Sequence, residues 1–333
     1  MKAIVVGAGE MGRTSARNLR DNFPEVELAA WVDVIPGAAE AAIESGGMNA
    51  AAFTDLNDAI RATDAEILID VTVPEAHAEV TIAGLEGGLD VIVEKPIATS
   101  MADARRMVET AARTGRTLMV SQSRRFDPNL EVYRGLIQRE LGGVEYLTAD
   151  FFIGAHFGGF RDEMASVLLL DMAIHTFDQA RALLERDAIS VYAEEFNPSW
   201  SWFKGASGAV CLFEMEGGVR FEYRGLWSAE GFPTSWQASW RAVGAQGTAL
   251  GDRAAGVRAE VVTVRGGFHS EVRPIHPLIP AVDGGIRGSF AEFLAARREG
   301  REPCSSARTN LNSLAMVLGA VESSRKGHRV RID

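Results

Sequence analysis

Lysine is scarce in this chain. Only four of the 34 basic side chains are lysines (Lys2, Lys95, Lys204 and Lys326), and the other 30 are arginines. Cysteine is nearly absent. Cys211 and Cys304 exclude a disulfide framework and set the expectation of a reducing, cytoplasmic compartment. Positive charge is in deficit: 45 acidic against 34 basic residues leave a formal charge of −11, which argues against nucleic acid or an anionic membrane as partner. Long apolar runs are missing too. No stretch approaches the ~20 residues of a membrane helix, and the apolar start Ala3–Val6 stops at Glu10 and Arg13, too soon for a signal-peptide core. No internal repeat or low-complexity segment is evident.

What is present is an ordinary apolar fraction, 47% of 333 residues, enough for about two domains at roughly 150 residues each. From residue 2 to about 123, short runs rich in branched aliphatics (Ile4–Val6, Leu28–Val32, Ile67–Val71, Val91–Val93, Leu118–Val120) alternate with helical patterns near 11–20, 36–44, 56–62, 75–86 and 100–114. Strands buried on both faces by crossover helices read this way. The pattern predicts a parallel, doubly wound sheet over residues 1–123.

A glycine loop gives that domain a ligand. Gly7-Ala8-Gly9-Glu10-Met11-Gly12 is G-x-G-x-x-G between a strand and a helix. Gly7 permits the tight turn, Gly9 the approach of a pyrophosphate, and Gly12 close helix–strand packing. The pyrophosphate is then held by the open N–H groups of the helix start, with Glu10 and Met11 in the loop itself. The second strand ends at Asp33, 21 residues past Gly12, where a carboxylate can hold a ribose diol and repel a 2′-phosphate. Val34-Ile35 offers no cation to receive such a phosphate. NAD is therefore expected in preference to NADP.

After residue 123 the rhythm changes. A helical stretch near 127–141 ends at Gly142-Gly143, then come a β-rich run, Val144–Phe152, a loop rich in glycine and aromatics, Gly154–Phe160, and a helical segment at 168–184. Segments 188–196, 208–215, 219–227, 236–243 and 257–265 read as antiparallel strands, followed by helices near 286–298 and 306–325 and a last strand, Arg329–Ile332. This predicts an α+β domain over residues 124–333 with a large, mostly antiparallel sheet, serving substrate binding and oligomerisation. Five of the six tryptophans fall at 200, 202, 227, 236 and 240. Aromatics with a polar handle suit sugar stacking or a sheet–sheet interface; the interface is the preferred reading, and it predicts a homodimer or homotetramer through this sheet.

Reactive groups should gather at the carboxyl ends of the Rossmann strands. The strand at 90–93 ends in Glu94-Lys95-Pro96, and the strand at 67–71 ends in Thr72-Val73-Pro74 with His77 just beyond. In a chain that uses arginine almost everywhere, Lys95 is a candidate acid, base or clamp, because lysine exchanges a proton and arginine does not. In the second domain Asp171 and His175 are i, i+4 on a helix, with Asp178 a turn further on. Three titratable residues in line on an apolar helix predict a stripe facing a cavity, with His175 as proton acceptor. Asp and His at that spacing can also ligate a metal, but no cysteine or HExxH pattern accompanies them, and no metal is expected.

These motifs resemble the Gfo/Idh/MocA family of oxidoreductases, which includes glucose–fructose oxidoreductase and inositol dehydrogenases. The resemblance rests on Gly7–Gly12, Asp33, the Pro74…His77 turn, Glu94-Lys95-Pro96 and Asp171…His175. Arg125-Phe126-Asp127-Pro128 and the closing Glu322-Ser323…Val330 extend it nearly end to end. It implies Lys95, Asp171 and His175 as catalytic residues, with Thr72, Pro74, His77, Glu94 and Lys95 beside the cofactor. It implies a weaker transfer for Arg161 of Gly159-Phe160-Arg161; Arg125 and His156 are further candidates for substrate contact. Ser166-Val167-Leu168 and Ala173-Ile174 stand where many members carry glycines. The implied activity is NAD-dependent exchange of hydride with a secondary hydroxyl or ketone of a sugar, polyol (inositol-like) or derivative. The same fold also serves redox glycosidases that hold NAD tightly and non-catalytic dinucleotide-binding regulators.

Overall fold

The computed structural model describes residues 1–252, 255–282 and 284–332, and these fall into two compact units. The first comprises Met1–Ser123 and Gly285–Leu311. Its strands are β1 (Lys2–Val6), β2 (Glu27–Val32), β3 (Ala51–Phe53), β4 (Ile67–Asp70), β5 (Asp90–Glu94) and β6 (Leu118–Ser121). Between them run α1 (Glu10–Asn22), α2 (Ala38–Gly46), α3 (Leu56–Ala62), α4 (His77–Glu86) and α5 (Met101–Thr114). The strands pair in parallel in the order β3-β2-β1-β4-β5-β6, so the chain reverses direction across the sheet between β1 and β4, the place where doubly wound sheets take ligands. All four residues of β4 and of β6 are buried, as strands covered on both faces must be. Strand β3, only three residues long, left no apolar run to read.

The helix Gly285–Glu299 belongs to this unit and corrects the expectation that 124–333 forms one second domain. The reason is apolar packing: Phe290 meets Phe23 edge-on at 4.9 Å, and Phe293 is wholly buried. Arg297 completes the attachment, donating to Asp90 at 2.6 Å and Glu66 at 2.7 Å.

The second unit comprises Arg124–Gly284 and the chain from Asn312 onward. It holds α6 (Pro128–Glu140), β7 (Val144–Phe152), the short α7 (Phe160–Glu163), a π-helical turn, Leu168–Ala173, and α8 (Ile174–Leu184). Then follow β8 (Ala188–Phe196), β9 (Gly208–Met215), β10 (Arg220–Leu226), β11 (Ser239–Gly244), β12 (Gly247–Asp252), β13 (Gly256–Val264), β14 (Glu271–Ile275) and the final β15 (Val330–Arg331). The sheet order is β14-β13-β12-β11-β7-β10-β9-β8-β15. Every pairing is antiparallel except β10 on β7. Burial alternates along β9 and β10, the mark of a sheet with one covered face. Phe177 of α8 fills the core on that face, edge-on to Phe213 at 4.8 Å and Tyr223 at 5.2 Å. Trp227 and Trp240 are buried in this unit and so form its core rather than an outer interface; Trp200 is 67% exposed.

Candidate active site

The phosphate loop is built as its glycines require. Gly7 has φ +105°, and a Cβ on it would lie 2.7 Å from the Val71 carbonyl oxygen. A Cβ on Gly12 would fall 2.0 Å from the Gly7 oxygen, whereas one on Gly9 would meet nothing within 4 Å. Two glycines are thus demanded by the fold, and the third leaves open the space before α1 into which a pyrophosphate must come. The buried Trp31 indole donates to the Gly7 oxygen at 3.0 Å and fixes the loop from below. Asp33 accepts from the Ala8 N–H at 2.7 Å on one oxygen and from the Ile35 N–H at 2.9 Å on the other. Each oxygen keeps a further lone pair for a ribose diol. Val34 and Ile35 after it are 83% and 65% exposed, as is Val73 at 62% on the β4–α4 turn, apolar surface of the kind a planar base covers. The residues present fit a dinucleotide. Among the loop's own side chains, Glu10 is exposed and Met11 half-buried.

At the ends of β4 and β5 lies a buried polar knot. Asp70 accepts from the Thr72 hydroxyl at 2.7 Å and the Thr81 hydroxyl at 3.0 Å. Burial pushes its carboxyl up, and His77 beside it opposes that shift. His77 is wholly buried, with Nδ1 2.8 Å from the Pro96 oxygen and Nε2 3.1 Å from the Thr72 oxygen. It ties the two turns that carry Thr72-Val73-Pro74 and Lys95-Pro96, so its link to a cofactor would run through the backbone it holds. Lys95 is half-buried at the end of β5. Glu94 borders a small cavity with Ser15, Asn18 and Ser121 on its wall; burial pushes its carboxyl up, against the pull of Lys95.

In the second unit the helix carrying Asp171 and His175 is not uniform. Asp171 lies in the π turn and His175 in α8, 9% and 6% exposed. A π turn inserts one residue into the helical ladder and recurs at functional sites. It also breaks the stripe expected from regular α spacing. Asp171 accepts from Arg161 Nε at 2.6 Å. Asp178, 1% exposed, instead takes a two-pronged pair from Arg125 at 2.9 and 2.7 Å and a hydroxyl from Ser313 at 2.8 Å. Asp178 and Arg125 therefore lock α8 to its surroundings. His156 stacks on Trp202 at 3.7 Å between ring centroids and meets Glu230 at 3.1 Å. Two residues escaped the sequence reading. Arg124 lies with its guanidinium 5.5 Å over Trp236 and 3.8 Å from the Met172 sulfur; only its place beside Arg125 could have signalled it. Glu195 takes the Ser166 hydroxyl at 3.1 Å and is pushed by burial to about 7; an acidic residue at an inward position of β8 was the available sign.

The fold and this loop define an NAD-binding oxidoreductase domain joined to a sheet-rich second unit. Residues 1–122 match the model of the Gfo/Idh/MocA oxidoreductase family with its NAD-binding Rossmann fold, and residues 131–250 match the model of the C-terminal domain of that family. The chain belongs to the Gfo/Idh/MocA family. It is 29% identical to an inositol 2-dehydrogenase of Salmonella paratyphi B over 196 residues, 58% of this chain and 57% of that one; the match thus spans a little over half of that relative. Among solved structures it resembles an oxidoreductase from Agrobacterium radiobacter in complex with NAD+, L-tartaric acid and magnesium (TM-score 0.85, 20% identity, 100% of this chain and 98% of that one). It also resembles levoglucosan dehydrogenase in complex with NADH and L-sorbose (TM-score 0.84, 18% identity, 100% and 99%). At such identities the structures share the fold.

Proposed function

We propose that the chain is an NAD-dependent dehydrogenase acting on a secondary hydroxyl, or the matching ketone, of a sugar, polyol or derivative. The observation that carries this reading is Lys95, a rare lysine at the carboxyl end of β5 in the domain whose phosphate loop fits a dinucleotide. Support comes from the relatives whose names include inositol 2-dehydrogenase and levoglucosan dehydrogenase. Bound NAD supplies the two-electron acceptor. The chain's own residues handle the proton and the substrate oxygen. His175 accepts the hydroxyl proton in the oxidation direction. Lys95, at the end of β5, stabilises negative charge that grows on a substrate oxygen during hydride transfer. Asp171, pinned by Arg161, binds a neighbouring hydroxyl of the substrate.

Sugars, inositols and their keto forms, offered with NAD and with NADP, test this through the absorbance of the reduced nicotinamide. The reading expects NAD-linked turnover of at least one secondary alcohol. Sugar cleavage with no net change in absorbance would support the redox-glycosidase alternative instead.

We also propose that the protein acts in the cytoplasm and self-associates through the outer face of its large sheet. Tyr192, Phe196, Val210 and Tyr146 on β8, β9 and β7 are each 37–44% exposed, apolar side chains on three strands of one sheet that a second copy would cover. Light scattering at micromolar concentration should give a dimer or tetramer; a monodisperse monomer refutes it.

A further inference from the structure

The large sheet of the second unit ends at β14, and among the described residues no strand lies beyond it. Which backbone groups point off this edge follows from the ladder. The Glu271 carbonyl accepts from the Thr263 hydroxyl at 3.2 Å, so it faces β13. Val262, opposite Val272, donates its N–H to the Gln246 carbonyl at 2.8 Å, on the far side of β13 from β14. Alternation then turns the backbone of Glu271 and Arg273 inward and sends the N–H and C=O of Val272 off the edge. Pro274 agrees with this phase, because a proline in a sheet keeps the side that lacks an N–H toward the open edge.

Open edges invite association, and proteins blunt them with proline, with short strands and with charge, lysine above all. A second copy approaching a lysine edge meets like charges. Strand β14 differs: Glu271 and Arg273 stand two residues apart, on one face, with opposite signs, and both are exposed. Val272 between them is 44% exposed. The Glu271 carboxylate has no partner among the described residues, and Arg273 reaches Glu140 at a long 3.4 Å.

We propose that β14 pairs antiparallel with the β14 of a second copy of this chain, across a two-fold axis at Val272. In that register the two Val272 residues exchange a reciprocal pair of hydrogen bonds, and each Glu271 lies opposite an Arg273. Ser270 falls opposite Pro274, where its N–H can use the proline carbonyl. The neighbouring registers are worse. An axis at position 271 or 273 sets like charges face to face, and one at 274 brings together two prolines with no N–H to exchange. The sequence of this edge therefore selects one self-complementary pairing, which joins two nine-stranded sheets into one. The contact is independent of the association through the outer face of the sheet; the two together would build a tetramer from a pair of dimers.

Sedimentation velocity of the full chain over roughly 1–200 μM tests it, since self-association depends on protein concentration. Mass should rise with concentration and fall as salt rises. Glu271→Arg turns both cross-strand pairs repulsive and should raise the dissociation constant roughly tenfold or more. Glu271→Arg together with Arg273→Glu should restore association; Glu140→Gln is included so that no carboxylate opposes the one at position 273. Val272→Pro removes an N–H that faces away from β13, so it should keep the melting temperature and lose the contact. Glu44→Arg, on the exposed side of α2, should assemble like the parent protein. Unchanged mass in both Glu271→Arg and Val272→Pro overturns the proposal, as does a charge swap that assembles no better than the single reversal. If mass falls instead with Tyr192→Glu and Val210→Glu, the outer-face association stands without this contact. If only the β14 variants lower it, this contact stands alone. A parent protein that is monomeric throughout refutes both.

Discussion

Removing the Asp178 carboxylate while keeping its shape, as Asp178→Asn, should destabilise the second unit far more than it alters the chemistry. Asp178 is 1% exposed, and its partner Arg125 is 16% exposed. Two charge-assisted hydrogen bonds from Arg125, at 2.9 and 2.7 Å, and one from Ser313, at 2.8 Å, converge on it. Removing one partner of a buried ion pair costs about 3–5 kcal/mol. In a unit of this size about 1 kcal/mol lowers the melting temperature by roughly 2–4 °C, so a drop of roughly 10 °C is expected. Chemical denaturation followed by tryptophan fluorescence reads the second unit directly, because Trp227 and Trp240 are buried there. Replacing both partners, Arg125→Met with Asp178→Leu, should cost less than the sum of the single changes. A loss under about 1 kcal/mol for Asp178→Asn, or a hundredfold fall in kcat at unchanged stability, would show that Asp178 faces the substrate after all.

Gly9→Ala and Gly12→Ala should separate binding from folding: the first keeps its melting temperature and loses NADH affinity by fluorescence titration, whereas the second, with a Cβ 2.0 Å from a carbonyl oxygen, loses melting temperature as well. Asp33→Ala removes both a ribose acceptor and the tie to the Ala8 N–H, so the NADH Kd should rise tenfold or more; an unchanged Kd would mean that the carboxylate only holds the turn. The Glu195 carboxyl, raised by burial to about 7 from an ordinary 4.5, stays protonated in the folded chain where the unfolded chain has ionised. Its presence therefore costs stability progressively as pH rises from about 4.5 to 7 and by a constant amount above that. Glu195→Gln should accordingly gain on the parent protein between those pH values, by about 1 kcal/mol after solvent screening, in denaturation curves at pH 4.5 and 8; equal differences at both pH values would contradict this.

The Rossmann half was legible because its strands are buried on both faces and therefore uninterrupted by polar residues, and because Gly7, Gly9 and Gly12 each answer a separate steric demand. Strands β12 and β14 were missed: Gly247–Asp252 carries two glycines and β14 carries a proline and is almost wholly exposed, so neither bears the apolar alternation that burial imposes. The placement of Gly285–Glu299 with the first unit was beyond sequence reading, since an amphipathic helix shows that it has an apolar face but not which surface receives it. Asp171 and His175 were visible as polar interruptions in an apolar run. The π turn that holds Asp171 was not, because the extra residue changes the ladder without changing the composition. Asp178 lies one regular turn past His175 in α8, and only the tertiary placement of Arg125 and Ser313 assigns it to a buried pair. Arg125 was likewise visible as a motif residue, yet which of two adjacent arginines meets Asp178 depends on the 3-10 turn, Ser123–Phe126, from which both project.

Lys95→Met tests the central claim most directly. The substitution keeps the length of the side chain and removes its only titratable group, at the end of a strand whose backbone it leaves alone. The account predicts that the variant folds, binds NADH with parental affinity by fluorescence titration, and forms no NADH from an alcohol that the parent protein oxidises. Turnover near that of the parent protein would contradict it.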